Sequence, residues 1–389
     1  MKVALGHDQL AEFGGAERVL VSLKQAFPEA PVYTSFVNRK RLGMHYANFA
    51  NWEIHEGIFS KFPFFKSLYS PLRFLLPIIW SSFDLSAYDV VICSSSWGMC
   101  KGVSLRKNNE NASSTRYFCY LHTPPRYLYG YDENPLKKYW AVRLYALIVN
   151  HFLRQYDYKS SQTIDEFIFN SEEIRGRSLK FYRRDGQIVH PPIKQVVSSS
   201  FDEVYSEHSR TTQDKQSTGV SGGYYLTVSR LTPTKHIDLL IKVANEMKLK
   251  LKIVGTGVEE ESLKKMAGDT IEFLGSVDDE KLGDLYANAK AFLYASVNED
   301  FGMVPVEAMS YGTPVIALSS GGVKETVIDG LRGVTFSDLS ENSLKASIIK
   351  FEKMDDVSIQ RMKNSAIEFA KSCSEDKFID KIKQIVFDK

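Results

Sequence analysis

The chain has 389 residues, of which 43% are apolar and 25% charged, close to the globular average; this excludes a disordered chain, a collagen-like fibre and a disulfide mini-protein. A compact unit runs to ~100–200 residues, so the length favours two domains. The net charge of +2 is unevenly divided: residues 1–200 carry 25 Lys and Arg against 17 Asp and Glu, and the remainder 24 against 30, which directs the first half toward a polyanion or an anionic surface. The predicted elements begin with a short apolar strand at residues 2–6, a turn at Phe13-Gly14-Gly15-Ala16, and a helical pattern with Val19, Leu20, Leu23 and Phe27 on one face. Further apolar runs at 32–36, 90–93, 117–121 and 167–170 alternate with amphipathic stretches. Such alternation implies a parallel sheet covered on both faces.

His190-Pro191-Pro192-Ile193 reads as extended chain. Residues 196–222 are polar and aperiodic and are expected to be a linker. The alternation then restarts, with strands expected at 224–229, 249–254, 271–274, 291–295 and 314–318. Helices are expected near 236–247, 259–267, 279–289, 304–311, 322–328, 341–353, 358–372 and 375–387. The fold class is α/β, with two facing Rossmann-like domains: 1–195, and 223–389 after the linker. The last helix is expected to pack back towards the first domain. Ligands of such sheets bind outside the carboxyl ends of the strands, so the site is expected in the crevice between domains.

Cys93, Cys100, Cys119 and Cys373 show no CxxC spacing and read as buried thiols of a reducing compartment, with no disulfide or zinc site expected. The start, Met1 to Asp8, is too short an apolar run for a signal peptide. No stretch reaches the ~20 apolar residues of a membrane span; the run from Phe74 to Trp80 is broken by Pro77. A cytoplasmic location is expected.

Four segments carry chemistry. Asn298 to Met309 contains Glu299 and Glu307 eight residues apart, with Phe301, Gly302, Met303, Val304 and Pro305 between them. Pro305 suits the first helical turn, whose N–H groups form an anion site. A capped surface helix with incidental acids would read the same way. Arg230 and Lys235 share one strand-to-helix loop, and a planar fork with a point charge suits a diphosphate; two solvated cations are the plain alternative. Gly255-Thr256-Gly257 begins like a dinucleotide fingerprint but has Glu260 at the third glycine position, which weakens a nicotinamide reading. Ser319 to Thr326 is another glycine-rich turn.

On these residues the chain resembles the retaining GT-B glycosyltransferases of family 4, the glycosyl transferases group 1. The match comprises Glu299-x7-Glu307 with Phe301-Gly302 inside it, the Arg230/Lys235 pair, Gly255-x-Gly257, and Gly14-Gly15 after the first strand. His7-Asp8-Gln9, Gly14 to Arg18 and His122 to Tyr127 look like the mannosyltransferase branch that builds O-antigens and other surface polysaccharides. The resemblance implies catalytic roles for Arg230, Lys235, Glu299 and His122. Arg230 and Lys235 would neutralise the departing diphosphate, and Glu299 would hold the donor sugar. Glu307 would hold the ribose, and Gly14, Gly15, Gly255, Val277, Phe301, Gly302, Met303 and Val304 would contribute donor contacts. A structural histidine is the plain reading of His122. The resemblance further implies α-retaining transfer by front-face attack without a protein nucleophile. No cofactor or metal is expected: no Asp-x-Asp pair occurs, and side chains and helix dipoles would stabilise the phosphate.

The expected donor is a nucleotide sugar, GDP-mannose favoured, and the expected acceptor a glycan on a polyprenyl diphosphate. A UDP-sugar donor, a GT-B-like epimerase or phosphorylase, and a non-catalytic sugar-nucleotide-binding module remain alternatives. No nucleic acid partner is expected. Lys61 to Leu76 and Lys137 to Tyr145 mix aromatics with cations and contain no acid. They suit peripheral attachment to the inner face of an anionic membrane, or else a core helix with snorkelling cations or a dimer face.

Overall fold

The computed structural model describes residues 1–62, 64–104, 115–131, 138–193 and 223–388. The expected linker and Lys137 lie outside the described residues. The chain divides into two compact units, Met1–Pro192 with Glu375–Lys389, and Ile193–Ser374. The boundary therefore falls three residues before the expected one. The final segment, which the sequence reading placed in the second domain, is counted with the first.

The first unit is built on a seven-stranded sheet of order β3-β2-β1-β4-β5-β6-β7. Its strands are β1 (Val3–His7), β2 (Val32–Thr34), β3 (Ile54–Glu56), β4 (Val90–Ser95), β5 (Arg116–Leu121), β6 (Glu166–Phe169) and β7 (Gly186–Ile188). Every pairing is parallel. Successive residues serve opposite cores: Val91, Cys93, Tyr117, Cys119 and Phe167 enter one, and Val90, Ile92, Phe118, Tyr120 and Ile168 the other. Both faces are covered, which is why these strands read as unbroken apolar runs.

Helix α1 (Gly15–Ala26) buries Val19, Leu20 and Leu23 on the second of these cores. A long helix, α2 (Trp140–Gln162), lies on the opposite side, with Leu153 in the first core.

The second unit has a six-stranded parallel sheet of order β10-β9-β8-β11-β12-β13. The strands are β8 (Tyr224–Val228), β9 (Leu251–Val254), β10 (Ile271–Gly275), β11 (Ala289–Tyr294), β12 (Val315–Leu318) and β13 (Val334–Phe336). Helix α3 (Ile237–Met247) covers one face and α4 (Met303–Ser310) the other, backed by α5 (Asp356–Ser372). Both units thus have the doubly wound parallel architecture expected from the alternation. The strands absent from the sequence reading, β3, β7 and β13, have three residues each and lie at sheet edges, too short to show a period.

The final helix, α6 (Glu375–Phe387), buries Phe378, Ile382, Ile385 and Val386 against the core beside α1. The Phe378 ring meets Tyr120 edge-on at 5.6 Å, and Arg116 donates to the carbonyl of Val386 at 2.8 Å. Full burial of a side chain of this kind contributes about 1.5–3 kcal/mol, which accounts for the helix docking where it does.

The polar groups buried in the first unit include an ion pair. Lys101 and Asp157 form an ion pair with no solvent exposure, and the hydroxyls of Tyr129 and Tyr182 donate to the same carboxylate at 2.8 and 2.7 Å. Burial alone would lower the Lys101 pKa; the charge and hydrogen bond of Asp157, with Cys119 and Asp8 nearby, together outweigh it and raise the value. The pair ties α2 to the connection after β4. Lys101→Met would leave the carboxylate buried without its counter-ion, and an expected loss of about 3–5 kcal/mol can be read by urea unfolding. A loss below about 1 kcal/mol would deny the pair this role.

Candidate functional site

In each sheet the strand order reverses between two neighbours, β1 and β4 in the first and β8 and β11 in the second. Loops leaving the carboxyl ends of such neighbours diverge and form the ligand crevice of doubly wound folds. Most candidate residues lie on these loops or one strand away; Glu307 is on the helix that follows the β11 loop, and Val277 follows β10, two strands from β8.

In the second unit, the loop after β8 is fixed by Leu231, which is fully buried. Backbone bonds fix it further, from Ser229 N–H to Val254 O (3.0 Å) and from Leu231 N–H to Thr256 O (2.9 Å). A short turn over Pro233–Lys235 then leads into α3. This brings the Lys235 ammonium into an ion pair with Glu299, on the loop after β11. The ammonium also lies 5.9 Å from the centre of the Tyr294 ring. Val297 N–H donates to Thr234 O at 3.4 Å, linking the two loops by backbone as well. Arg230 lies exposed on the β8 loop.

Glu307 is on α4, half-buried. Burial first, and then the charge of Glu299 with a contribution from Glu307, pushes the Tyr294 phenol well above its ordinary pKa. Both carboxylates therefore act electrostatically on one buried neutral phenol. Tyr294 was not singled out from the sequence; its position as the last residue of β11, at the reversal point, is the signal that marks it.

Gly255 and Gly321 have a packing role that composition does not reveal. Both have positive φ, 126° and 57°. A Cβ on Gly255 would sit 1.9 Å from Ser229 O, and one on Gly321 2.3 Å from Glu299 O. Each glycine lets one loop lie directly beneath the loop that carries Arg230 or Glu299. Gly322 N–H donates to Glu299 O at 2.8 Å. Gly302 precedes α4 in the left-handed region, with φ 85°, and Met303 and Val304 form the first turn, where backbone N–H groups lie outside the helix's own ladder. Phe301 is buried in the core, and Val277 packs its side chain against it.

In the first unit, Gly14 is the N-cap of α1 and Gly15 its first residue. Gly14 N–H donates to the Glu17 carboxylate at 2.9 Å, which faces His7 Nε2 at 3.6 Å. His7 Nδ1 lies 3.1 Å from Ser94 Oγ, and that oxygen lies 2.8 Å from His122 Nε2. Burial alone would raise the Glu17 carboxyl; the hydrogen bond and charge of His7, helped by the Gly14 N–H, hold it below the usual range. The Ser94 hydroxyl thus lies within hydrogen-bond reach of one ring nitrogen of each histidine and couples the two imidazoles. Asp8 plays a different part: its carboxylate accepts from the N–H groups of Ser96, Gly98 and Cys100 and from the Ser96 hydroxyl, at 2.6–2.9 Å, and so anchors the turn after β4. The Ser94 links were not foreseen from the sequence, because they join residues 87 and 28 apart in the chain; the Glu17 links are local to the first strand-to-helix loop.

The two units, each a doubly wound parallel sheet, define the GT-B class of fold. The structure of HepE from Anabaena, in complex with UDP and glucose, is similar over the whole length of both chains, with a TM-score of 0.67 at 19% identity. Residues 210–372 match the family described as glycosyl transferases group 1. Mannosyltransferases are among its relatives. The alpha-1,3/1,6-mannosyltransferase ALG2 of Kluyveromyces lactis is 26% identical over 84% of this chain and 71% of that protein. A GDP-mannose-dependent alpha-mannosyltransferase of Mycobacterium tuberculosis is 35% identical over 26% of each chain. An uncharacterized glycosyltransferase of Methanocaldococcus jannaschii is 27% identical over 41% of this chain. The chain spans less than half the length of several curated relatives it matches, 46% in that last case. No helix among the described residues is long and apolar enough to cross a membrane.

Burial first, and the neighbouring His7 second, push the His122 pKa from 6.5 down to about 4, so the ring is neutral at physiological pH. The unfolded chain takes up this proton near pH 6.5 and the folded chain only near 4. The stabilisation is complete above about pH 6.5 and is lost as pH falls toward 4, by up to about 3 kcal/mol. The stability advantage of the wild type over His122→Asn, measured by urea unfolding, should shrink by that order across this window. An advantage constant with pH would contradict the assignment.

Proposed function

We propose that the chain is a nucleotide-sugar-dependent glycosyltransferase that moves mannose from GDP-mannose to a glycan acceptor carried on a lipid diphosphate, in cell-surface polysaccharide synthesis. The observation that carries this reading is the Lys235–Glu299 pair at the β8/β11 reversal, beside Tyr294 and on the loop of Arg230, within the segment that matches the glycosyltransferase family. The mannosyltransferases among the relatives support the choice of donor.

In this reading Arg230 and Lys235 bind the donor diphosphate, and Lys235 exchanges its carboxylate partner for a phosphate oxygen as the donor enters. The freed Glu299 carboxylate accepts from the sugar hydroxyls, and Glu307 accepts from the ribose hydroxyls. The backbone of Gly255, Val277 and Phe301 to Val304 contributes donor contacts. On the first unit, Gly14 and Gly15 give close backbone access, and His122 offers an uncharged ring whose orientation Ser94 fixes. The transfer retains α configuration: the bond from the sugar C1 to the phosphate oxygen breaks, and the bond from C1 to the acceptor oxygen forms on the same face. The acceptor proton passes to the departing diphosphate, with no residue acting as nucleophile and with cationic side chains in place of a metal. Positioning and leaving-group electrostatics supply the acceleration.

Lys235→Ala should reduce transfer from labelled GDP-mannose to a lipid-linked glycan by about 10²–10³-fold, while its thermal unfolding stays close to the wild type. Turnover at the wild-type rate would refute the assignment. Parallel assays with UDP-sugars test the donor, since a preference for any of them would replace mannose from GDP-mannose in this account.

A further inference from the structure

Helix α2 is apolar on two opposite faces. Its inner face is accounted for: Leu153 is in the core with Val149 and Tyr156 against it, and Asp157 is paired with Lys101. Its outer face carries Trp140, Leu144, Leu147, Ile148 and Phe152, spaced i, i+4, i+7, i+8 and i+12, which forms a single stripe. These side chains are largely in solvent; Trp140 is 75% exposed, Leu147 68% and Phe152 65%. A helix on the surface of a soluble domain places charged residues there, and a contiguous apolar stripe marks an interaction surface.

The stripe continues onto a neighbouring segment. Arg73 donates to the Asn150 side chain at 3.0 and 3.3 Å and stacks over Tyr145 at 4.9 Å. The Tyr145 hydroxyl donates to the carbonyl of Pro71. The segment so attached exposes Phe62, Phe64 and Phe74.

Charge selects the occupant. Residues 138–156 contain Lys138, Arg143 and Arg154 and no acid, and residues 57–83 contain Lys61, Lys66 and Arg73 and no acid. Lys61, Lys138 and Arg143 are exposed. Lys66 is paired with Glu56 at 3.3 Å, so Lys61, Lys138 and Arg143 carry the charge argument. Aromatic and aliphatic side chains interspersed with such cations complement an anionic bilayer interface, where the apolar groups enter the acyl boundary and the cations meet the headgroups. We propose that this face docks the chain on an anionic lipid surface, with α2 lying in the plane of the interface. The proposal rests on the surface of the first unit and deepens the lipid-linked reading above without depending on the donor site.

The test is co-sedimentation of the full chain with vesicles of phosphatidylglycerol and phosphatidylcholine, and with phosphatidylcholine alone, at low and high salt. The wild type should bind the anionic vesicles at low salt and weaken at high salt. Leu144→Ser/Leu147→Ser and Arg143→Glu should each weaken binding at least about tenfold with unchanged melting curves, because all three positions are exposed. Nucleotide binding by both variants should equal that of the wild type, which separates this test from the donor reading. Absence of binding to anionic vesicles, or binding that both variants leave intact, would overturn the proposal. Self-association abolished by the double-serine variant, without vesicle binding, would assign the face to a second copy of the chain and overturn it equally.

Discussion

The ion pair between Lys235 and Glu299 is the constraint on which the second unit's site depends. Its two charges leave neighbouring strands of one sheet, on loops that diverge because the strand order reverses between β8 and β11. Tyr294 beneath them is buried and held neutral by burial and by the carboxylates, so it adds a polar wall without adding charge. The glycines at 255 and 321 permit the close backbone stacking that sets the height of both loops. A bulkier residue at either position would move the ammonium or the carboxylate with its loop, and positioning is the part of the chemistry that geometry controls most directly.

The first unit solves a different problem with similar topology. At the β1/β4 reversal and on the adjoining β5, an ionised carboxylate, two imidazoles and a hydroxyl form one connected chain of polar contacts from Glu17 to His122. The contacts hold the rings in place, and burial keeps the last ring uncharged. A neutral imidazole of defined orientation suits recognition of sugar hydroxyls, where a charged or rotating ring would be less selective. Asp8, next to His7 in sequence, is excluded from that chain because four donors from the turn after β4 already occupy its carboxylate.

Much of this was legible in the sequence for physical reasons. Strands buried on both faces read as apolar runs, and Val90 to Ser95 is buried throughout. Helix α6 announced itself through Phe378, Ile379, Ile382, Ile385 and Val386, and the carboxylates eight residues apart marked the entry to α4. The three-residue edge strands carried too little pattern to be seen. Ser94 and Tyr294 escaped notice because each is one residue of an ordinary apolar strand; only the folded order of strands places it at a reversal point. The buried partnership of Lys101 with Asp157 was invisible because 56 residues separate the two, and neither stands in a motif.

Calorimetric titration of GDP into the wild type and into Arg230→Ala/Lys235→Ala reads the central claim most directly. A cation pair that holds the diphosphate requires the double variant to lose at least about tenfold in affinity, about 1.4 kcal/mol or more, at unchanged stability. Equal affinity in the two proteins would place the diphosphate elsewhere and contradict the account.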